Sequence, residues 1–207
     1  MPLILGTNSI KDTGYNVANS LRFNSGDSAS LTLTGSAANG TVEEKFTFSA
    51  WVKRSKISSS MVIMGEHTNS SNYAWIRFAA DDVIELLHVV GGGTSVQIKT
   101  NRIFRDVSAW YHIVIAYDST QGTQSNRVKM YINGTEETSF GTSTYGGSGN
   151  IISLNENGKA VAVGQDDNND KYFGGYITEF CFIDGLYLDA TSFGEFDEDS
   201  PTIWKPK

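Results

Sequence analysis

The sequence has one cysteine, Cys181, in 207 residues, so no disulfide can form within the chain. Its stability must come from a buried core, which a chain of this length can supply without covalent staples. Basic residues are in short supply: 16 Lys and Arg stand against 23 Asp and Glu, for a net charge of −7. That balance argues against a nucleic-acid partner, which needs a basic stripe facing the phosphates, and against simple docking on an anionic membrane. No apolar run approaches the length that spans a bilayer, so no membrane insertion is expected. Met1–Leu5 is too short for a signal-peptide core and has no basic lead, so synthesis in a cytoplasm is expected. Convincing amphipathic helical periodicity is missing as well.

What the sequence does have is period-two alternation. In Tyr111–Asp118, Tyr111, Ile113, Ile115 and Tyr117 share one face, and His112, Val114 and Ala116 share the other. Both faces are largely apolar, which predicts a strand near the middle of a sheet. After a polar loop, Val128, Met130 and Ile132 form the core face of a second strand. Asn133-Gly134 then supplies the positive φ angles of a type I′ hairpin turn.

The remaining segments fall around this pair. Leu21–Asn24 and Ser30–Thr34 read as short strands about a Ser25-Gly26-Asp27 turn. Lys45–Arg54 is a clear strand with Phe46, Phe48, Ala50 and Val52 on one face. Met61–Met64 is a brief apolar strand and His67–Asn72 a polar turn. Tyr73–Phe78, Val83–Val90 and Thr94–Thr100 are further strands, the last two separated by Gly91-Gly92-Gly93. Thr135–Phe140 reads as a short strand and Gly141–Asn150 as a flexible loop. Ile151–Leu154 and Lys159–Gly164 are read as strands. In Tyr172–Ile183, a phase slip between Ile177 and Phe180 predicts a β-bulge. Asp189–Phe196 reads as one short helical turn and Asp197–Lys207 as a polar tail. About a dozen short strands with regular turns predict one all-β domain, a sandwich or a barrel. The expected organisation is an N-terminal arm or edge strand over residues 1–20, an all-β domain over 21–190 and a C-terminal tail over 191–207.

Five segments in order resemble the laminin G-like, concanavalin A-like jelly-roll superfamily: Leu21–Asp27, Phe46–Lys53, Trp110–Asp118, Val128–Gly134, and Val163-Gly164 followed by Tyr172–Ile177. The resemblance implies an all-β, two-sheet antiparallel jelly-roll sandwich of the concanavalin A-like lectin/glucanase type. Trp51–Ser55, Phe104–His112, Ser125–Lys129, Phe182–Gly185, Phe193–Glu195 and Trp204–Lys207 are further similar to jelly-roll modules of tailed-bacteriophage virion proteins. That likeness implies a non-enzymatic structural protein of the virion, a head or tail fibre or a capsid decoration. Its expected partners are other virion proteins, a host-surface polysaccharide and, as in many fibres, two further copies in a homo-trimer. The alternative is a calcium-dependent carbohydrate-binding receptor module; a glycoside hydrolase ranks below both.

Retaining hydrolysis on such a fold needs carboxylates aligned on one strand face. Tyr176–Phe180 offers Glu179 alone, and Asp81, Asp82 and Glu85 have the wrong spacing. No enzymatic activity is therefore expected, and His112, inside the central strand, reads as a structural histidine. The loop Gly164–Asp170 gathers oxygen donors of the kind Ca²⁺ prefers, making Asp166, Asp167 and Asp170 candidate ligands, although a solvated hairpin tip has the same composition. Asp27 is a weaker candidate. Sugar binding needs aromatics with an exposed face beside polar groups, which nominates Tyr145, Trp75 and Tyr131. Trp51 reads instead as part of the packing on the second sheet face. The sequons at Asn39, Asn69 and Asn133 read as chance.

Overall fold

The computed structural model describes residues 19–34, 43–166, 168 and 170–207. Residues 1–18 of the expected arm, most of the Gly35–Glu44 loop with the Asn39 sequon, and Asp167 lie outside the described residues. In chain order the strands are β1 (Leu21–Phe23), β2 (Leu31–Thr34), β3 (Lys45–Arg54), β4 (Met61–Asn69), β5 (Asn72–Phe78), β6 (Ile84–Val90), β7 (Gly93–Thr100) and β8 (Tyr111–Asp118). They continue with β9 (Val128–Ile132), β10 (Thr135–Glu136), β11 (Phe140–Thr144), β12 (Ala160–Val163), β13 (Gly175–Asp184), β14 (Gly194–Phe196) and β15 (Trp204–Pro206).

Two antiparallel sheets face each other. One has the order β1-β13-β3-β8-β9-β10, the other β11-β7-β6-β5-β4-β12-β2. As its two apolar faces predict, β8 lies between β3 and β9 and is buried along its whole length. Its Ile113, Ile115 and Tyr117 join Phe46 and Phe48 of β3 and Ile76, Ile84 and Leu86 of the opposite sheet in one core. Each such side chain contributes about 1.5–3 kcal/mol by leaving water. The two-sheet jelly-roll class implied by the resemblance is what the molecule adopts. The type I′ turn is present, with Asn133 at φ +50° and Gly134 at φ +78°. The bulge in β13 is present too, as a register shift between Thr178 and Cys181.

The structure departs from the sequence reading where apolar alternation carries no information. Phe140–Thr144 is strand β11, paired with β7, not part of a flexible loop. Its Gly and Thr side chains lie on an edge, where hydrophobic patterning is silent. Asn69 and Asn72 end β4 and open β5, which shortens the expected polar turn to Ser70-Ser71. Ile151–Leu154 is not a strand; Ser153–Asn155 forms a 3₁₀ turn that still buries Leu154, beside the buried Ile152. Two apolar residues two positions apart fit either conformation.

The C-terminal residues form a third, two-stranded sheet of β14 and β15. Ala190 and Trp204, with half-buried Phe193, cover Val114 on the outer face of the six-stranded sheet, beside Trp51 and Tyr131. The Trp204 indole donates to His112 Nδ1 at 2.9 Å, and His112 Nε2 lies 2.9 Å from Ser49 Oγ. Because Nδ1 accepts, the neutral ring carries its proton on Nε2 and donates to the serine. The Trp204 ring packs where a Cβ on Gly134 would stand 2.3 Å from it, so this glycine serves the turn and the close approach together.

Candidate functional site

A cavity of about 390 Å³ opens at the end of the sandwich carrying the Ser70-Ser71 and Gly91-Gly92 turns. One wall is the inner face of β4, β5 and β6; the other is the segment 150–159. Asn150 and Asn155 pin that segment. Asn150 donates to the Tyr117 hydroxyl at 3.0 Å and accepts from Ser95 at 2.8 Å. Asn155 donates to the Lys45 carbonyl at 3.0 Å. The wall is thus anchored to both sheets.

Glu66 faces this cavity because of a bulge. Simple alternation from Met61 would place Gly65 inward and Glu66 outward. A register shift between Val62 and Met64 reverses the phase, so Met64 joins the core and Glu66 stands opposite buried Ala74. Ala74 in turn stands opposite His88 on β6. Two polar side chains therefore flank an alanine across three strands, their backbones about 10 Å apart. Gly65 then faces the loop after β12, where a Cβ would lie 2.8 Å from the Asp166 Cα.

Three atoms around the cavity are buried and make no hydrogen bond: Glu66 Oε2, His88 Nδ1 and Ser153 Oγ. Their residues are only 2%, 4% and 5% exposed. The other Glu66 oxygen accepts from Thr68 at 2.6 Å, and the Thr68 hydroxyl accepts from Lys159 at 2.8 Å. This chain fixes the carboxylate, while Oε2 makes no hydrogen bond. Each unpaired buried group costs about 1–3 kcal/mol, so three in one cavity form a set that a ligand can complete. Burial lowers the His88 pKa from 6.5 to about 4. At neutral pH the ring is therefore uncharged and offers one donor and one acceptor.

The residues nominated from sequence lie elsewhere and do not converge. Trp75 is not an exposed sugar platform. It is 6% exposed on the outer face of the seven-stranded sheet, with the Arg77 guanidinium 4.5 Å and the Lys171 ammonium 5.2 Å from its ring. Tyr131 is half-buried against the C-terminal segment, and Tyr145 is half-buried against the main core.

In the loop nominated for calcium, Lys171 pairs with two of the three nominated carboxylates. Lys171 Nζ lies 2.8 Å from Asp166 and 3.1 Å from Asp170. The Asp166 carboxylate also accepts from the amides of Asn168 and Asp170, and the Lys171 amide and ammonium hold Asp170 below the usual carboxylate range. Asp166 is buried inside its own loop, while Asp170 is exposed. Among the described residues no group of three or more His, Cys, Asp or Glu could hold a metal ion. Asp27 is occupied by the Asn24 amide. Asp82 and Glu85 are bound by arginines, and Glu179 is an exposed residue on the β13 bulge.

Comparison with known proteins places the chain in a family. The sequence profile described as the concanavalin A-like lectin/glucanases superfamily matches residues 23–187. The chain belongs to this superfamily. No curated protein sequence matches it. Among solved structures, it is similar to domain 4 of AbnA, a GH43 extracellular arabinanase from Geobacillus stearothermophilus, solved with arabinotriose. The TM-score is 0.58 at 16% identity, over 84% of this chain and 74% of that one. Domains LG4-5 of the mouse laminin α1 chain align with TM-score 0.56 at 15% identity, over 84% of this chain and 44% of theirs. A putative carbohydrate binding protein from Bacteroides ovatus aligns with TM-score 0.50 at 16% identity, over 79% and 42%. At these identities the likeness establishes the shared fold.

The two buried histidines of this lectin-type sandwich give it an acid-sensitive stability. Burial lowers both His88 and His112 from 6.5 to about 4. Between those values the unfolded chain binds protons that the folded chain refuses, so stability falls as the pH drops from about 6.5 towards 4. The expected loss at pH 5 is about 2 kcal/mol per histidine relative to pH 7. Urea unfolding at the two pH values measures it, and an unchanged midpoint would contradict the assignment.

Proposed function

We propose that this chain is a non-enzymatic carbohydrate-binding domain that seats a sugar unit in the cavity between Glu66, His88 and Ser153. The observation that carries the reading is the convergence of three unpaired, nine-tenths-buried polar atoms on one cavity. Sugar hydroxyls both donate and accept, which suits a carboxylate, a neutral imidazole and a serine hydroxyl. Ile151 lines the same cavity and supplies apolar surface for the C–H face of a ring. The volume lies within the range of small-molecule sites. The structural neighbours named for arabinotriose or for carbohydrate binding support the same class.

A glycan panel titrated calorimetrically tests the reading. Glu66→Gln and Ser153→Ala are expected to weaken the best ligand about tenfold or more, since each removes a buried hydrogen bond. Melting temperatures confirm that both variants fold. Binding unaffected by either change argues against the pocket. Because Lys171 already neutralises Asp166 and Asp170, affinity is expected to be the same in calcium and in chelator. Release of reducing ends that disappears in Glu66→Gln would replace binding with hydrolysis. The likeness of Trp51–Ser55 and Phe104–His112 to phage jelly-roll modules supports a setting on a virion, as fibre or decoration. Purified particles examined by mass spectrometry without finding this chain would count against that setting.

A further inference from the structure

A second cluster lies on the opposite sheet, remote from the cavity. On the outer face of the six-stranded sheet, Arg22 of β1 is registered with Tyr176 of β13, and Tyr176 with Lys53 of β3. Trp110, just before β8, completes the row; its ring centroid is 6.4 Å from that of Tyr176, at 56°. Tyr176 is 37% exposed, Arg22 is exposed, and Lys53 and Trp110 are half-buried. The C-terminal segment covers the neighbouring part of this face, around Val114.

The charges on this row run against the rest of the chain. The protein carries a net −7, yet Arg22 and Lys53 make no ion pair or side-chain hydrogen bond among the described residues. Asp106, the carboxylate whose field reaches Lys53, is already engaged by the amide and hydroxyl of Ser108. Two cations with no ion pair among the described residues, beside two aromatic rings, fit a ligand with both a flat apolar face and a negative charge. The row crosses four adjacent strands, a span of about 14 Å, which suits an extended chain better than a single ring.

We infer that the Arg22–Tyr176–Lys53–Trp110 row binds an acidic polysaccharide, with the rings stacking on sugar faces and the two cations pairing with its carboxylates or sulfates. This surface is separate from the Glu66 cavity, so either can fail without the other.

The test uses the full chain against polygalacturonate, dextran sulfate and neutral dextran, at low and at high salt. Polyanion binding that falls steeply with salt, with no binding of neutral dextran, is the expected result. Arg22→Ala and Lys53→Ala should each weaken polyanion binding about three- to tenfold, and Tyr176→Ala about tenfold. Glu66→Gln should leave it unchanged. Preference for polygalacturonate assigns carboxylate as the paired anion, and preference for dextran sulfate assigns sulfate; both support the surface. Failure to bind either polyanion overturns the inference, as does binding that survives Arg22→Glu/Lys53→Glu in a protein whose melting temperature is unchanged.

Discussion

Replacing Arg54 with alanine is expected to destabilise the fold by about 3–5 kcal/mol, read as a lower urea midpoint. Arg54 ends the inward phase of β3 that begins with Phe46, and its side chain is fully buried. Its guanidinium lies 2.9 Å from Asp82, donates to the carbonyls of Phe104 and Lys56 at 2.8 and 2.7 Å, and stacks 4.7 Å from the Phe78 ring. Burial lowers the Arg54 pKa despite the facing carboxylate. Burial alone would raise Asp82, but the Ser58 amide and the guanidiniums of Arg105 and Arg54 outweigh it and hold it below its ordinary range. Removing Arg54 leaves a buried carboxylate with only Arg105 and the Ser58 amide, and leaves two carbonyls without donors. The double change Arg54→Met/Asp82→Asn should recover part of the loss, because it takes the buried charge away as well. A loss below about 1 kcal/mol in Arg54→Ala would show that the ion pair does not hold the end of β3 to the loops.

Trp204→Ala is expected to cost about 3–5 kcal/mol, although only three residues follow it in the sequence. Trp204 is 9% exposed, fits against Gly134 and Gly194, and supplies the donor for His112. Trp204→Phe separates the two contributions: it keeps most of the packing and leaves His112 Nδ1 unpaired, for about 1–3 kcal/mol. Thermal unfolding of the two variants should therefore rank wild type above Trp204→Phe above Trp204→Ala. Equal melting temperatures for all three would mean that the C-terminal hairpin is not part of the cooperative fold.

The fold was legible where one sheet face is apolar. β3, β8 and β9 could be read residue by residue because Phe46, Ile113 and Val128 keep strict phase with their neighbours. Edge strand β11 was not legible, because an edge built of Gly, Ser and Thr buries little. The C-terminal hairpin was equally hidden: a single tryptophan in a polar segment says nothing of the histidine, 92 residues away, that it meets.

The candidate cavity was missed for a related reason. His88 carries a usable signal, since it continues the inward phase of Ile84 and Leu86 as a polar residue in an apolar series. Glu66 carries none, because the bulge at Val62–Met64 reverses its face. Ser153 looked like one residue of a short strand. The aromatics that composition favoured, Trp75 and Tyr145, lie against protein, and the acidic loop contains its own cation in Lys171.

The most direct measurement is a crystal structure of the chain with the tightest oligosaccharide from the glycan panel. The account predicts a sugar ring in the cavity with hydroxyls within hydrogen-bond distance of Glu66 Oε2, His88 Nδ1 and Ser153 Oγ. An oligosaccharide seated elsewhere, with those three atoms still unpaired, would contradict it.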